Sequence, residues 1–222
     1  MINQRESTKA SEEPQLVQTP EGLVLQQGSL QIRGDFTRML PRLRRGNLER
    51  EQLVKAARIR NLPTTGTVFD ATAGLGEDSL LLAAAGWNVT MCEFDPVIAA
   101  LLRDSLKRAA EITELCGIAA RMKLLEGDSR ALLPHLDFTP DLVLLDPMFP
   151  ERQKSSLVKK KAQLLQKLEK PCDDEAGLLE AAFQANPRKI VVKRPLKGPY
   201  LAGRKPDYAI SGKTIRYDCY VL

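Results

Sequence analysis

The sequence predicts an α/β protein whose parallel β-sheet is covered by helices on both faces and is completed by an antiparallel hairpin. From Thr67 onward, short apolar segments alternate with segments of helical spacing. Residues 207–222, "DYAISGKTIRYDCYVL", place two strand-like segments around a tight turn at Ser211-Gly212. Alternating β and α units are typical of a parallel sheet, whereas two strands joined by a tight turn pair antiparallel.

The α/β domain is expected to span residues 66–222. Its predicted strands are "TVFD" (67–70), "NVTMCE" (88–93), "MKLLEGD" (122–128), "LVLLD" (142–146) and "KIVVKRP" (189–195). Its predicted helices are "EDSLLLAAAG" (77–86), "DPVIAALLRDSLKRAAEI" (95–112) and "DEAGLLEAAFQ" (174–184). Asp95 is expected to cap the second helix, with Pro96 as its first residue.

Two further segments precede this domain. Residues 1–20 are polar and are expected to form a disordered or loosely held tail. Residues 21–65 are predicted to form a small basic β/α extension. In it, "GLVLQQGSLQIRGDF" (22–36) alternates like a hairpin, and "NLEREQLVKAARI" (47–59) has helical spacing with Asn47 as the expected N-cap.

Composition excludes several classes of protein. The chain has 222 residues, of which 43% are hydrophobic and 27% charged, as is usual for a globular protein. No apolar run approaches the ~20 residues of a membrane span, and the N-terminus lacks a signal-peptide pattern. Four cysteines without CxxC spacing and one histidine, His135, argue against a metal site and for a reducing, cytoplasmic location.

Acidic residues stand at or beside the ends of four predicted strands: Asp70, Glu93, Asp128 and Asp146. Open α/β sheets bind ligands beyond the carboxyl ends of their strands. We therefore expect these acids to line one pocket, although each could by itself belong to a turn or a helix cap.

The segment "DATAGLGED" after the first of these strands indicates the ligand. Gly74 and Gly76 allow a sharp turn close to a ligand, but the GxGxxG motif of dinucleotide sites is incomplete. Glu77 and Asp78 would repel a pyrophosphate at the helix start. They suit S-adenosylmethionine (SAM), which carries a sulfonium and an ammonium group and no phosphate.

The remaining cofactor contacts follow the second and third strands of the domain. Glu93 is placed to accept hydrogen bonds from both ribose hydroxyls, and Phe94 would lie against the adenine ring. Asp128 and Ser129 would accept a hydrogen bond from the adenine amino group. Asp70, Gly74, Gly76, Glu77, Asp78 and Asp146 complete the predicted cofactor site.

The stretch "LVLLDPMFPERQ" (142–153) predicts the catalytic site. The exocyclic amine of a nucleobase is a weak nucleophile, and two acceptors that take its hydrogens direct the nitrogen toward a methyl group. Asp146 and the carbonyl of Pro147 are the expected acceptors. Phe149 would stack on a flipped base, an interaction worth ~1–3 kcal/mol.

The motif "DPMFP" resembles the [D/N]PP[Y/F] motif of methyltransferases that act on planar amines, with Met148 in place of the second proline. Together with "DATAGLGEDSLLLAAAG" (70–86), "DPMFPERQKSSLVKKK" (146–161) and "IVVKRP" (190–195), it resembles the ribosomal RNA small subunit methyltransferase J family. The resemblance implies a Rossmann-like, seven-stranded class I methyltransferase sheet and methylation of a guanine N2 in 16S rRNA. It also implies cofactor contacts at Glu77-Asp78, Glu93-Phe94, Asp128-Ser129 and Asp146.

Basic clusters are expected to hold the phosphates of the RNA. They are Arg38, Arg42, Arg44 and Arg45 in the extension, Lys154, Lys159 and Lys160 after the catalytic motif, and Lys193 and Arg194 at the end of a strand. The expected partner is ribosomal RNA or the small ribosomal subunit, with no membrane and no metal, and a monomer is slightly favoured. The alternatives are an amine methyltransferase for DNA or protein glutamine, and an inactive nucleic-acid-binding module on the same scaffold.

Overall fold

The computed structural model describes residues 13–62, 66–147 and 174–222. Residues 15–32 form a three-stranded antiparallel sheet of β1 (Gln15–Thr19), β2 (Gly22–Gln27) and β3 (Leu30–Ile32). The hairpin β2–β3 agrees with the sequence pattern. The tail prediction for residues 1–20 is wrong where it includes β1, because Gln15–Thr19 pair residue by residue with Gln26–Gly22.

Short helices follow in the extension, namely α1 (Leu40–Leu43), α2 (Arg45–Leu48) and α3 (Gln52–Ala57), after a 3-10 turn at Phe36–Met39. The single helix predicted from Asn47 is therefore wrong. Asn47 lies inside α2, where its side chain donates to the carbonyl of Pro41 (2.8 Å). The backbone is non-helical at Glu51, with ψ 130°, which separates α2 from α3.

The main sheet contains, among the described residues, β4 (Thr67–Asp70), β5 (Asn88–Glu93), β6 (Met122–Glu126), β7 (Leu142–Leu145), β8 (Lys189–Pro195), β9 (Tyr208–Ser211) and β10 (Ile215–Val221). Its order is β6-β5-β4-β7-β8-β10-β9. The first five strands of that order pair in parallel, and β10 is antiparallel to both of its neighbours. The predicted parallel sheet with a terminal hairpin is confirmed.

Helices cover both faces of this sheet: α4 (Glu77–Ala84), α5 (Pro96–Ala110), α6 (Thr113–Ala119), α7 (Ser129–Leu132) and α8 (Glu175–Gln184). Asp95 caps α5 as predicted, since its carboxylate accepts from the amides of Val97 (2.9 Å) and Ile98 (3.1 Å). No helix in the described part of the chain is long and apolar enough to cross a bilayer.

All four residues of β7 are fully buried and alternate between two hydrophobic cores. Leu142 and Leu144 pack with the residues of α4, whereas Val143 and Leu145 pack with those of α8. The same alternation continues on β8, where Val191 joins the first core and Val192 the second. A strand buried on both faces explains the unbroken apolar run "LVLL".

Candidate functional site

The acids predicted to share a pocket lie at the carboxyl edge of the sheet. Asp70 ends β4, Glu93 ends β5, Asp128 follows β6 by two residues, and Asp146 directly follows β7. Because β4 lies between β5 and β7 and all of these strands run in parallel, their ends meet at one edge. Loops from neighbouring strands therefore approach each other there.

The loop between β4 and α4 turns through two glycines with positive φ, Gly74 (54°) and Gly76 (79°). A Cβ atom on Gly76 would stand 2.6 Å from Cδ1 of Leu102 and 3.2 Å from Cζ of Phe36. Backbone conformation and close packing thus both require glycine at position 76. The loop is tied to the next strand, because the amide of Gly74 donates to Oε2 of Glu93 (2.8 Å).

Glu93 is 8% exposed and holds two loops together. Its Oε1 accepts from the amide of Asp95 (2.9 Å), while its Oε2 accepts from Gly74. Burial raises the pKa of Glu93, and these two amide donors act in the opposite direction. Each carboxylate oxygen has a second lone pair, so the group can still accept hydroxyls of a ligand.

Phe94, next along the chain, is 70% exposed, which is unusual for a large apolar side chain at the rim of a sheet.

Asp128 caps α7 through the amide of Arg130 (2.9 Å) and pairs with the guanidinium of Arg130 (2.8 Å). The hydrogen bond from Arg130 lowers the pKa of Asp128. Ser129 is buried beside it.

Asp70 is 1% exposed and lies beneath the glycine loop. Its oxygens accept from the hydroxyl of Ser79 (2.6 Å) and the amide of Thr72 (3.2 Å). Burial raises the pKa of Asp70 to about 7. The predicted direct contact with the cofactor does not fit this enclosed position, because both oxygens bind the loop and helix α4 that surround it.

Asp146 is anchored by two neighbours, one at its backbone amide and one at its carboxylate. Its amide donates to Oγ1 of Thr72 (2.6 Å), and its Oδ2 accepts from Nζ of Lys193 (2.7 Å). Nζ of Lys193 also binds Oδ2 of Asp78 (2.7 Å), in the first turn of α4. Pro147 is buried directly after Asp146, and Glu77 is exposed at the first position of α4.

This cluster corrects the interpretation of Lys193 and Arg194. Lys193 is not a free phosphate contact, since its ammonium lies between two carboxylates. Arg194 has no exposed side-chain surface; it pairs with Glu175 (3.2 Å) and donates to the carbonyl of Pro199 (2.9 Å). Neighbouring residues of a strand point to opposite faces, so Arg194 lies on the α8 side, away from the pocket.

The predicted arginines of the extension are exposed and partly paired. Arg42 binds both oxygens of Glu51 (2.7 and 2.8 Å). The hydrogen bond to Glu51 raises the pKa of Arg42, and the charges of Asp78 and Glu77 add to this effect. Arg42 belongs to α1, which contacts α4. Arg38 pairs with Asp35 and Arg45 with Glu49, and Arg44 is exposed between them.

Several predicted residues lie outside the described part of the chain: Met148 and Phe149 of the catalytic motif, and Lys154, Lys159 and Lys160 of the basic cluster. Sequence reasoning missed the contact between Thr72 and Asp146, and it misassigned Lys193 and Arg194. No group of metal-ligating side chains occurs within residues 13–62, 66–147 and 174–222.

Comparisons with known proteins converge on one family. The family model of SAM-dependent methyltransferases, SAM_MT, matches residues 3–222. The ribosomal RNA small subunit methyltransferase J of Thioalkalivibrio sulfidiphilus is 44% identical over 87% of this chain and 76% of its own length. The protein of the same name from Rhodopseudomonas palustris strain BisB5 is 46% identical over 81% of each chain.

Solved structures agree with these sequence matches. A SAM-dependent methyltransferase from Neisseria gonorrhoeae is 33% identical, with a TM-score of 0.76 over 97% of this chain and 85% of that chain. The rRNA methyltransferase AviRa from Streptomyces viridochromogenes is 18% identical, with a TM-score of 0.52 over 79% of this chain and 84% of its own. The second of these likenesses concerns the fold alone.

Proposed function

The chain belongs to the ribosomal RNA small subunit methyltransferase J family of SAM-dependent methyltransferases, and from this premise we propose that it methylates the exocyclic amine, N2, of a guanine in small-subunit rRNA. The observation that carries the proposal is the position of Asp146. Its carboxylate follows the central strand β7, next to the β4 loop that binds Glu93. An amine acceptor and the predicted cofactor contacts thus share one edge of the sheet.

The side chains of the pocket fit SAM and do not fit a phosphorylated cofactor. Glu93 offers carboxylate oxygens to ribose hydroxyls, and the exposed ring of Phe94 offers a flat apolar surface to adenine. Glu77 and Asp78 put negative charge at the start of α4, where a pyrophosphate would otherwise bind. Bound SAM supplies an electrophilic methyl group on its positively charged sulfur.

Asp146 and Pro147 would prepare the amine for attack. The Asp146 carboxylate accepts one N–H of the amine and the Pro147 carbonyl the other, so the nitrogen lone pair points away from both acceptors. As the new N–C bond forms and the S–C bond breaks, the nitrogen becomes acidic, and its proton leaves to Asp146 or to water. Phe149 would hold the flipped base by stacking.

The RNA would approach over the N-terminal extension. Arg38, Arg44 and Arg45 are exposed there, and so is Arg42 on α1, which contacts α4. Lys154, Lys159 and Lys160 are proposed as further phosphate contacts. A ribosomal substrate agrees with a cytoplasmic location, and a monomer is the proposed state.

The substrate is identified with radiolabelled SAM offered to unmodified small subunits, naked rRNA, DNA and a protein extract. We expect label in the samples that contain small subunits or naked rRNA. Digestion of the labelled RNA to nucleosides should release N2-methylguanosine. Label that appears only in DNA or protein would contradict the proposal, as would a different methylated nucleoside.

The role of Asp146 is tested with Asp146→Ala. Loss of the amine acceptor should lower kcat by at least about 100-fold while the protein stays folded. Asp137→Ala, at an exposed loop position, is the matched control and should behave like the wild type. If Asp146→Ala keeps most of its turnover, Asp146 does not position the amine.

A further inference from the structure

Lys193 is placed where one ammonium group bridges two carboxylates from different elements. On β8 it shares a face with Val191, on the side of the sheet covered by α4. Its Nζ lies 2.7 Å from Oδ2 of Asp78 and 2.7 Å from Oδ2 of Asp146. The side chain is 25% exposed, so water screens these two ion pairs only in part.

We propose that Lys193 is a positioning residue, which orients the Asp146 carboxylate toward the reacting amine and couples it to Asp78 at the start of α4. The inference rests on the proposed function, in which Asp146 accepts a hydrogen of the amine. It assigns to Lys193 a role inside the pocket, in place of the phosphate contact expected from the sequence.

The geometry separates the two oxygens of Asp146. Lys193 binds Oδ2, and the amide of Asp146 is held by Thr72 (2.6 Å). With the backbone fixed at one end and Oδ2 at the other, the carboxylate has little rotational freedom. Oδ1 is then the oxygen available to the amine. Its direction is already set before the substrate binds, so the acceptor is preorganised.

A phosphate contact is a poorer account of the same side chain. An ammonium has three N–H donors, and at Lys193 two of them bind carboxylates. A phosphate that approached Nζ would meet the negative charges of Asp78 and Asp146 at the same time. Repulsion between those charges and the phosphate would cancel much of the attraction to one lysine.

The charged groups that face Asp146 give the inference a measurable consequence. On the pocket side they are Lys193 on β8, Asp78 on α4, Asp70 on β4 and the titratable Tyr217 on β10, and the charge of Arg194 acts on Asp146 from the opposite face of β8. Burial and the charge of Asp78 raise the pKa of Asp146, while Lys193 and Arg194 lower it. Without Lys193 the pKa should rise further, and a neutral carboxylic acid is a weaker acceptor of the amine hydrogen than a carboxylate.

The first experiment measures methyl transfer to small subunits against pH for Lys193→Met, Lys193→Arg and the control Lys107→Met on the exposed side of α5. Lys193→Met should lower kcat by about 100-fold at neutral pH, and raising the pH should recover part of the loss. Lys193→Arg should retain most activity, and Lys107→Met all of it. A loss independent of pH, or a change confined to the RNA KM and its salt dependence, would overturn the inference.

The second experiment needs no substrate. The carboxyl carbon of Asp146 is titrated by NMR in the free protein labelled at aspartate, with Asp146→Asn to assign the signal. The pH midpoint of the Asp146 titration should rise in Lys193→Met and fall in Asp78→Asn. The second variant still tests the coupling if Lys193→Met fails to fold. An unchanged midpoint in the variants that fold would refute the role of Lys193, whereas absence of transfer by the wild-type protein would refute the proposed function instead.

Discussion

Replacing Gly76 with alanine should destabilise the protein, whereas the same change at Gly117 should not. Gly76 has φ +79° and ends the loop that carries Gly74. A Cβ atom there would stand 2.6 Å from Cδ1 of Leu102, closer than two carbon atoms can approach without movement. Gly117 lies within α6, where an added Cβ meets nothing within 4 Å.

The magnitude follows from two terms. Left-handed backbone costs an L-residue about 1–2 kcal/mol, and overpacking a buried site costs about 1–3 kcal/mol. Gly76→Ala should therefore lower the free energy of unfolding by about 2–5 kcal/mol. For a chain of this size that corresponds to a Tm lower by about 10 °C. Gly117→Ala should raise stability by about 0.5–1 kcal/mol, because alanine favours the helix.

Urea denaturation and calorimetry measure both variants beside the wild type, and calorimetric titration with SAM measures the pocket. Affinity for SAM should fall in Gly76→Ala, because relief of the clash moves the loop that binds Glu93. Affinity in Gly117→Ala should stay unchanged. If the free energy of unfolding of Gly76→Ala lies within about 0.5 kcal/mol of the wild-type value, the described loop conformation or its packing on Leu102 is wrong.

Two further predictions concern Thr72 in the β4–α4 loop and Asp70 beneath that loop. Thr72→Val removes the acceptor of the Asp146 amide; it should cost about 1–3 kcal/mol of stability and lower kcat, and equal values for wild type and variant would show that the hydrogen bond is unimportant. Burial raises the pKa of Asp70 in the folded protein to about 7. The folded protein therefore keeps Asp70 protonated at pH values where the unfolded chain has lost this proton. Stability from this group is complete below the unfolded pKa of ~4 and is lost as pH rises to about 7. Denaturation at pH 4 to 8 should show that loss in the wild type relative to Asp70→Asn, on the order of 4 kcal/mol, and parallel curves would contradict it.

Much of the fold was predictable because its signals are local. The helix cap at Asp95 and the terminal hairpin each follow from a few neighbouring residues. The strand β1 was missed because "QLVQT" is half polar and exposed, and it becomes a strand only by pairing with β2. The division between α2 and α3 was missed because Leu53, Val54 and Ala57 have helical spacing, and Leu48 before them was taken into the same helix.

In the pocket, too, some features could be predicted from the sequence and others could not. That acids end neighbouring strands could be seen in the sequence, because chain order and strand length fix where each strand stops. Which acid stays open to a ligand could not. Asp70 and Asp146 end adjacent strands, yet Asp70 is 1% exposed and bound to α4, while the Asp146 side chain remains 31% exposed.

The sequence by itself determined the class of fold and the edge of the sheet at which the acids gather. Only the tertiary structure decided the surroundings of Lys193 and Arg194, two adjacent cations at the end of the same strand. Strand geometry sends neighbours to opposite faces, but which face holds the pocket depends on the helices packed there. Lys193 faces α4 and two carboxylates, while Arg194 faces α8 and Glu175, and that difference depends on contacts between residues far apart in the chain.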